Sequence, residues 1–214
     1  MLVVKKFVFN IFSENTFIIW DEKTKECAII DAGCSDKREE EEIENYLNKN
    51  ELTVKYLINT HCHIDHVIGS KFVKERFNPI YLIPEKDLPM LERAEVQAAA
   101  FGLKIEAPPK PDGFIPMAEK LFIGSSEVQF LFTPGHTPGE ICLYFAKEKF
   151  CLTGDVLFKD SIGRTDLWGA DYDTLINSIS SQLLTLPDDT LIYPGHGDSS
   201  QIGIEKMQNP FLLI

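Results

Sequence analysis

The sequence lacks any hydrophobic run long enough to cross a membrane, and it lacks the C-x-x-C spacing of redox or zinc cysteines. Its five cysteines are an odd number and most lie in apolar or strand-like segments, which predicts buried free thiols in a reducing compartment. The first residues, MLVVKKFVFN, alternate apolar and polar side chains and predict a strand instead of a signal peptide. These absences predict a soluble, cytoplasmic protein.

Positive charge is also scarce. The chain has 21 lysines and arginines against 33 aspartates and glutamates, for a formal net charge of -12. Nucleic acids and anionic membranes bind to basic patches, so this balance argues against either as a partner. We therefore expect a small-molecule substrate, no nucleic acid and no membrane.

No repeat, low-complexity tract or linker divides the 214 residues, which predicts one domain over residues 1–214. Apolar periodicity predicts strands that alternate with helices, and so a mixed α/β fold with helices outside the sheets. We expect strands near 2–9, 16–20, 26–30, 54–59, 79–84 and 190–195, four more between 120 and 154, and helices over 36–50, 69–77, 85–102, 171–184 and from about Ser200. The segment 85–116 is expected to form either a lid over the substrate or a cover on the sheet.

The stretch NTHCHIDHVIG, residues 59–69, places three histidines and an aspartate within six positions. All five histidines of the chain, and also Asp155, come just after a short apolar segment that predicts a strand. In α/β folds the loops that leave the carboxyl ends of strands converge on one crevice. Imidazole and carboxylate groups are ligands for zinc and iron, so this placement predicts a metal site.

Each of these residues has a plainer explanation when it is taken alone. Asp65 stands where an aspartate often caps a helix. His136 and His196 lie in glycine-rich loops, and Asp155 follows a glycine that favours a turn. The occurrence of all five histidines and both aspartates after strands favours the metal site over these separate explanations.

The segment THCHIDH, residues 60–66, resembles the T-H-x-H-x-D-H signature of the metallo-β-lactamase superfamily. The later His136, Asp155 and His196 occur in the order and contexts of that family, and the early DAG turn at 31–33 resembles it as well. The resemblance implies the fold class α/β (α+β), a four-layer αβ/βα sandwich with the metal site along one edge of its two sheets.

The same resemblance implies two divalent metal ions. One would be held by His61, His63 and His136, the other by Asp65, His66 and His196, and Asp155 would bridge the two. Zinc is the first expectation, with iron or manganese as alternatives, because mixed histidine and aspartate ligands suit all three. Water bound by two such cations loses a proton near neutral pH, which favours hydrolysis.

The segment GRTD, residues 163–166, resembles an element of the glyoxalase II-like group and of the related persulfide dioxygenases. Arg164 would anchor a substrate carboxylate, or it would pair with Asp166 in a plain turn. Full-length glyoxalase II has a tyrosine in place of Asp166, and its C-terminal helical domain begins where this chain stops, so the carrier thiol stays open. Cys34 either touches the substrate or is an inert buried thiol.

We therefore expect a hydrolase of a small anionic thioester, similar to hydroxyacylglutathione hydrolase, that works as a monomer or homodimer. A metal-bound hydroxide would attack the acyl carbon, and Asp65 and Asp155 would be catalytic as well as metal-binding. One alternative is a persulfide dioxygenase with a single iron held by His61, His136 and Asp155. Another is a non-enzymatic metal sensor. A β-lactamase is not expected, because no secretory signal is present.

Overall fold

The computed structural model describes residues 1–213, and the chain divides into two compact units. The first unit contains residues 1–115 and 122–127, and the second contains residues 116–121 and those from 128 onward. Within the described residues, no helix is long and apolar enough to span a membrane. The single domain expected over residues 1–214 stays a prediction.

Six strands form the sheet of the first unit: β1 (Leu2–Phe9), β2 (Glu14–Asp21), β3 (Glu26–Ile30), β4 (Thr53–Ile58), β5 (Ile80–Ile83) and β6 (Gly113–Phe114). They are hydrogen-bonded in chain order, antiparallel up to β3 and parallel from β3 onward. Because β3 and β4 run in parallel, the loops that follow Ile30 and Ile58 leave the same edge of the sheet. The N–H of Thr60 donates to Asp31 Oδ1 at 2.7 Å across these two loops.

The helices of the first unit are α1 (Lys37–Lys49), α2 (Ile64–Val67), α3 (Ser70–Phe77), α4 (Leu88–Leu91) and α5 (Ala94–Ala100). The single helix expected over 85–102 is wrong, because this segment is a 3₁₀ turn at Glu85–Asp87 followed by α4 and α5. Pro89 lies in the first turn of α4, and the backbone departs from helical geometry at Arg93, with φ −108° and ψ 17°. Proline starts a new helical segment more readily than it continues one.

The broken segment nevertheless contributes to the core of the first unit. Met90, Leu91, Ala94 and Ala98 are buried in the same apolar cluster as Ile43 of α1. This packing supports the interpretation of the segment as a cover on the sheet. A role as a lid stays a prediction.

Glu39, in the first turn of α1, holds two loops against that helix. Its Oε1 accepts the N–H of Asn10 at 2.9 Å, and its Oε2 accepts the N–H and the hydroxyl of Ser35 at 2.8 and 2.9 Å. The N–H of Glu39 donates to the N-cap residue Asp36 at 2.9 Å. The buried carboxylate therefore satisfies donors of two loops, while Asp36 satisfies a donor at the helix start.

Replacing Glu39 with alanine is expected to lower the free energy of unfolding by about 2 kcal/mol, because three hydrogen bonds to a buried carboxylate are lost. Urea denaturation followed by circular dichroism measures the change. Glu41→Ala is the matched control, since Glu41 is exposed on the same helix. Equal losses of stability in the two variants would contradict the structural role of Glu39.

The second sheet contains six strands: β7 (Leu121–Ile123), β8 (Ser126–Phe132), β9 (Ile141–Phe145), β10 (Phe150–Gly154), β13 (Leu191–Pro194) and β14 (Ser200–Gln201). Between β10 and β13, the strands β11 (Leu157–Phe158) and β12 (Ser161–Ile162) form a separate hairpin. The order of the second sheet is β14-β13-β10-β9-β8-β7. α6 (Tyr172–Ser178) continues as a π-helix over Ile179–Leu183, and α7 (Ile202–Gln208) is the last helix of the described part. The core of the second unit includes Leu175, Ile179, Leu183, Ile192 and Ile202.

The pairing of the second sheet determines where its loops lie. β10 and β13 run in parallel, and β9 is antiparallel to both β8 and β10. The carboxyl ends of β8, β10 and β13 therefore lie at one edge, together with the start of β9. His136, Asp155 and His196 lie in the loops that leave this edge.

Candidate metal centre

Four of the expected metal ligands lie together in the first unit, in the segment from the end of β4 through α2. The ring centroid of His61 is 4.9 Å from that of His63 and 4.1 Å from that of His66. His66 Nε2 lies 3.7 Å from Asp65 Oδ2. The explanation of Asp65 as a helix cap is wrong, because His63 is the N-cap residue of α2 and Asp65 lies inside the helix.

The other three expected ligands lie together in the second unit. Asp155 Oδ2 is 3.6 Å from His136 Nε2 and 3.5 Å from His196 Nε2. Two donor atoms that share one tetrahedral metal ion, each about 2.0–2.2 Å from it, lie about 3.4 Å apart. The spacing and chemistry of these donors therefore fit a carboxylate oxygen that shares a metal ion with each imidazole.

The carboxylate of Asp31 contacts the imidazole ring of His66 on its Nδ1 side. Asp31 Oδ2 lies 3.1 Å from His66 Nδ1 and accepts the hydroxyl of Thr60 at 2.7 Å. The side-chain amide of Asn59 donates to the carbonyl of His66 at 2.7 Å. An acceptor beside Nδ1 favours the proton on that nitrogen and leaves Nε2 for a metal. The sequence indicated the DAG turn but not this contact.

A second carboxylate, that of Glu14, lies on the same Nδ1 side of the His66 ring. Glu14 is fully buried, and its Oε1 is 3.9 Å from His66 Nδ1. Its Oε2 accepts the hydroxyl of Thr16 at 2.8 Å, and burial raises the pKa of Glu14 well above its usual value. A Cβ atom on Gly33 would lie 2.0 Å from Oε2, so any larger residue there would displace the side chain of Glu14. Glu14 follows a turn in an ordinary strand pattern, and no local feature of the sequence indicated it.

We predict that Asp31→Asn weakens metal binding by about 10- to 100-fold, because the amide replaces an oxygen that serves either His66 or Thr60. Competition with a chromogenic chelator measures the affinity. Asp31 has a left-handed φ of 53°, a conformation that asparagine also tolerates, so the fold should be preserved. Asp36→Asn is the control, because asparagine caps a helix as well as aspartate. An unchanged affinity in Asp31→Asn would show that His66 needs no support from Asp31.

His136 is oriented by the backbone of the GRTD segment. Its Nδ1 lies 2.8 Å from the carbonyl oxygen of Arg164, which can only accept, so Nδ1 carries the proton and Nε2 is left facing Asp155. The side chain of Arg164 instead pairs with Asp166, at 2.7 Å from Nε to Oδ1 and 2.8 Å from Nη2 to Oδ2. The hydrogen bond from Arg164 lowers the pKa of Asp166 to about 2. The turn pairing expected as an alternative is therefore present, and substrate anchoring by Arg164 stays a prediction.

Cys34 lies on the wall of a cavity of about 530 Å³ in the first unit, which is lined by apolar side chains such as Ile68 and Phe72 and by charged ones such as Lys71 and Glu75. The thiol is only 2% exposed, and burial raises its pKa well above the usual value. A protonated, buried thiol is a poor nucleophile, which supports the expectation of an inert cysteine. All five cysteines are free and buried, as the sequence predicted. Contact of Cys34 with a substrate stays a prediction.

The sequence matches the model of the metallo-β-lactamase superfamily over residues 10–196. The chain belongs to this superfamily. This superfamily member is 41% identical over 208 residues to hydroxyacylglutathione hydrolase GloC of Haemophilus influenzae, with 94% of this chain and 93% of the relative covered. The superfamily is one of metallo-hydrolases, so membership supports a hydrolase.

Solved structures of other proteins resemble this superfamily member, and three of them illustrate the shared fold. BLEG-1 B3 metallo-β-lactamase has a TM-score of 0.90 at 32% identity, with 99% of this chain and 100% of that chain covered. TTHA1623 in a di-iron-bound form has a TM-score of 0.87 at 32% identity, with 98% and 100% covered. ETHE1 from Myxococcus xanthus has a TM-score of 0.75 at 26% identity, with 97% and 83% covered. The fold class predicted from the THCHIDH signature is confirmed.

Proposed function

We propose that this protein is a metal-dependent hydrolase of thioesters with a dinuclear centre. The observation that carries the proposal is the pair of imidazole nitrogens at 3.5 and 3.6 Å from one carboxylate oxygen of Asp155, a spacing suited to a bridging ligand. The close cluster of four further ligands in the first unit supports a second metal position. The likeness to GloC of Haemophilus influenzae supports a thioester as the substrate.

Seven side chains hold the two ions in this proposal. One ion would be bound by His61, His63 and His136, the other by Asp65, His66 and His196, and Asp155 would contact both. Zinc is the first choice, and the di-iron form of TTHA1623 supports iron as an alternative. Seven ligands leave open positions for water and substrate, whereas a structural zinc site is closed by four. A metal sensor is therefore the weaker proposal.

The bound ions would supply a Lewis acid for the acyl carbonyl and would lower the pKa of coordinated water towards neutrality. Asp65, which is partly exposed, has the position and chemistry to orient the attacking water and accept its proton. Asp31 and the carbonyl of Arg164 fix the rings of His66 and His136, so that the donor atoms do not reorganise during turnover. The leaving thiolate needs little protonation, since thiols have a pKa of about 8.5.

The substrate in this proposal is a small anionic thioester. Arg164 is exposed and its partner Asp166 is also exposed, and such a surface pair is weak enough for a substrate carboxylate to displace. The likeness to GloC makes an acyl-glutathione the first thioester to assay. Action as a monomer or homodimer, a cytoplasmic location and the absence of nucleic-acid and membrane partners remain parts of the same proposal.

A second candidate function uses part of the same ligand set. His61, His136 and Asp155 would hold one iron as two histidines and a carboxylate, the arrangement of many iron oxygenases. The GRTD element resembles that of both the glyoxalase II-like group and the persulfide dioxygenases, so it suits this candidate as well as the hydrolase. The shared fold with ETHE1 from Myxococcus xanthus is compatible with it.

Three assays on the same purified protein separate these candidates. Release of free thiol from a hydroxyacyl ester of glutathione is the expected activity. Oxygen consumption with glutathione persulfide, without thiol release from the ester, would overturn the hydrolase in favour of the dioxygenase. Hydrolysis of a chromogenic cephalosporin is the third assay, because BLEG-1 B3 metallo-β-lactamase has the same fold. A β-lactam turned over faster than the thioester would overturn the proposed substrate class.

A further inference from the structure

Glu140 lies at the edge of the second sheet from which the loops of His136 and Asp155 leave. It immediately precedes β9, the strand that lies between β8 and β10. In the observed register Leu143 is opposite Leu152, so continuing the antiparallel ladder places Glu140 opposite Asp155. On its other side, the carbonyl of Glu140 accepts the N–H of Thr133 at 2.9 Å. Glu140 therefore lies between the ends of the strands that carry His136 and Asp155.

The side chain of Glu140 makes the hydrogen bond to Asp155 at this position. Its Oε1 accepts the backbone N–H of Asp155 at 2.7 Å, and the residue is fully buried. A buried carboxylate is costly to desolvate, and a short hydrogen bond from a backbone N–H to a charged acceptor is stronger than a neutral one. The position of Asp155 is thus coupled to a buried carboxyl group that no part of the proposed chemistry uses.

The opposite side of Asp155 is fixed as well. A Cβ atom on Gly163 would lie 1.9 Å from the carbonyl oxygen of Asp155, so the backbone of Gly163 packs directly against it. The preceding carbonyl, that of Gly154, accepts the N–H of Gly195 at 2.7 Å. With its N–H bound by Glu140 and its carbonyl packed against Gly163, the backbone of Asp155 has little freedom to move.

We propose that Glu140 is a positioning residue, which holds the backbone of Asp155 so that its carboxylate reaches the ions bound by His136 and His196. This inference rests on the proposed dinuclear centre. In this inference Glu140 positions Asp155 through the hydrogen-bond acceptor Oε1. The charge of Glu140 is of secondary importance for metal binding. Partners that orient a metal ligand contribute about 10- to 100-fold to metal affinity.

The test compares two substitutions of Glu140 that match it in size. Glu140→Met removes the acceptor, whereas Glu140→Gln keeps an acceptor oxygen and removes the charge. Metal-free protein is titrated with cobalt(II), whose absorption spectrum reports both stoichiometry and ligand geometry. We expect Glu140→Met to weaken cobalt binding by about 10- to 100-fold and to alter the spectrum. We expect Glu140→Gln to remain within about threefold of the parent protein.

Glu205 provides the matched control. It is also a fully buried glutamate of the second unit, and its Oε2 accepts the backbone N–H of Asp160 at 3.0 Å. Glu205→Met should lower the thermal stability of the metal-free protein and leave cobalt affinity unchanged. If Glu140→Met also lowers thermal stability and leaves cobalt affinity unchanged, the role of Glu140 is only structural and the inference is overturned.

Two further outcomes also decide the question. Equal weakening in Glu140→Gln and Glu140→Met would assign the effect to charge and overturn the inference. If Glu140→Met fails to fold, Glu140→Ala replaces it in the same comparison. Failure of the proposed function is distinguishable, because the parent protein itself would then bind fewer than two cobalt ions, or would bind them equally well after Asp155→Ala.

Discussion

Replacing Asp155 with alanine is expected to lower kcat/KM for thioester hydrolysis by about a thousand-fold and to remove at least one metal ion per chain. The physical reason is that one oxygen of Asp155 lies 3.5–3.6 Å from two imidazole nitrogens, so alanine removes the carboxylate that both of them share. A thousand-fold loss corresponds to about 4 kcal/mol of transition-state stabilisation, within the range of a lost metal ion. Steady-state kinetics at saturating zinc, together with metal analysis, measure both effects.

The control is Asp173→Ala, which removes an exposed carboxylate of α6. It should leave kinetics and metal content unchanged. Circular dichroism must show that Asp155→Ala is folded, because a sensor with a purely structural metal predicts loss of the fold instead of loss of turnover. A folded Asp155→Ala variant that retains a tenth or more of the parent kcat/KM would contradict the assignment of Asp155.

Gly163→Ala is expected to have the largest effect on stability, a loss of about 3 kcal/mol in the free energy of unfolding. The new Cβ atom would lie 1.9 Å from the carbonyl oxygen of Asp155 and 3.2 Å from the Cβ of His136. The first of these is a backbone atom, which cannot rotate away, so the loop that carries Asp155 must shift. We therefore expect metal affinity to fall together with stability. Urea denaturation of the metal-free protein and chelator competition measure the two losses separately.

Gly113→Ala serves as the comparison, because a Cβ atom there would meet only Leu82 Cδ2, at an ordinary distance of 3.5 Å. Its stability should change by less than about 1 kcal/mol. If Gly163→Ala is equally well tolerated, or if it is destabilised with unchanged metal affinity, the close packing of Gly163 on Asp155 is not what holds the ligand.

The candidate ligands could be predicted from the sequence because most of them are histidines, which are rare in this chain and lie at the ends of strands. The chain has only five histidines, and each follows a segment whose apolar pattern indicates a strand. The parallel pairs of strands then gather the loops at one edge of each sheet. This is why the three ligands of the second unit meet, although 60 positions separate His136 from His196.

The groups that orient those ligands could not be predicted in the same way. Glu14 and Glu140 lie at the starts of apolar strands, and their contacts with His66 and Asp155 join segments that are separated in the sequence. The carbonyl of Arg164 orients His136, and a backbone atom leaves no trace in residue identity. Periodicity likewise supported one helix over 85–102, whereas Pro89 and the turn at Arg93 divide it.

Elemental analysis of the protein, purified without chelator or added metal, tests the central claim most directly. The proposal of a dinuclear hydrolase predicts about two metal ions per chain, mostly zinc or zinc with iron. About one iron per chain, with no second metal even after incubation with excess zinc, would contradict the dinuclear centre and favour the mononuclear dioxygenase.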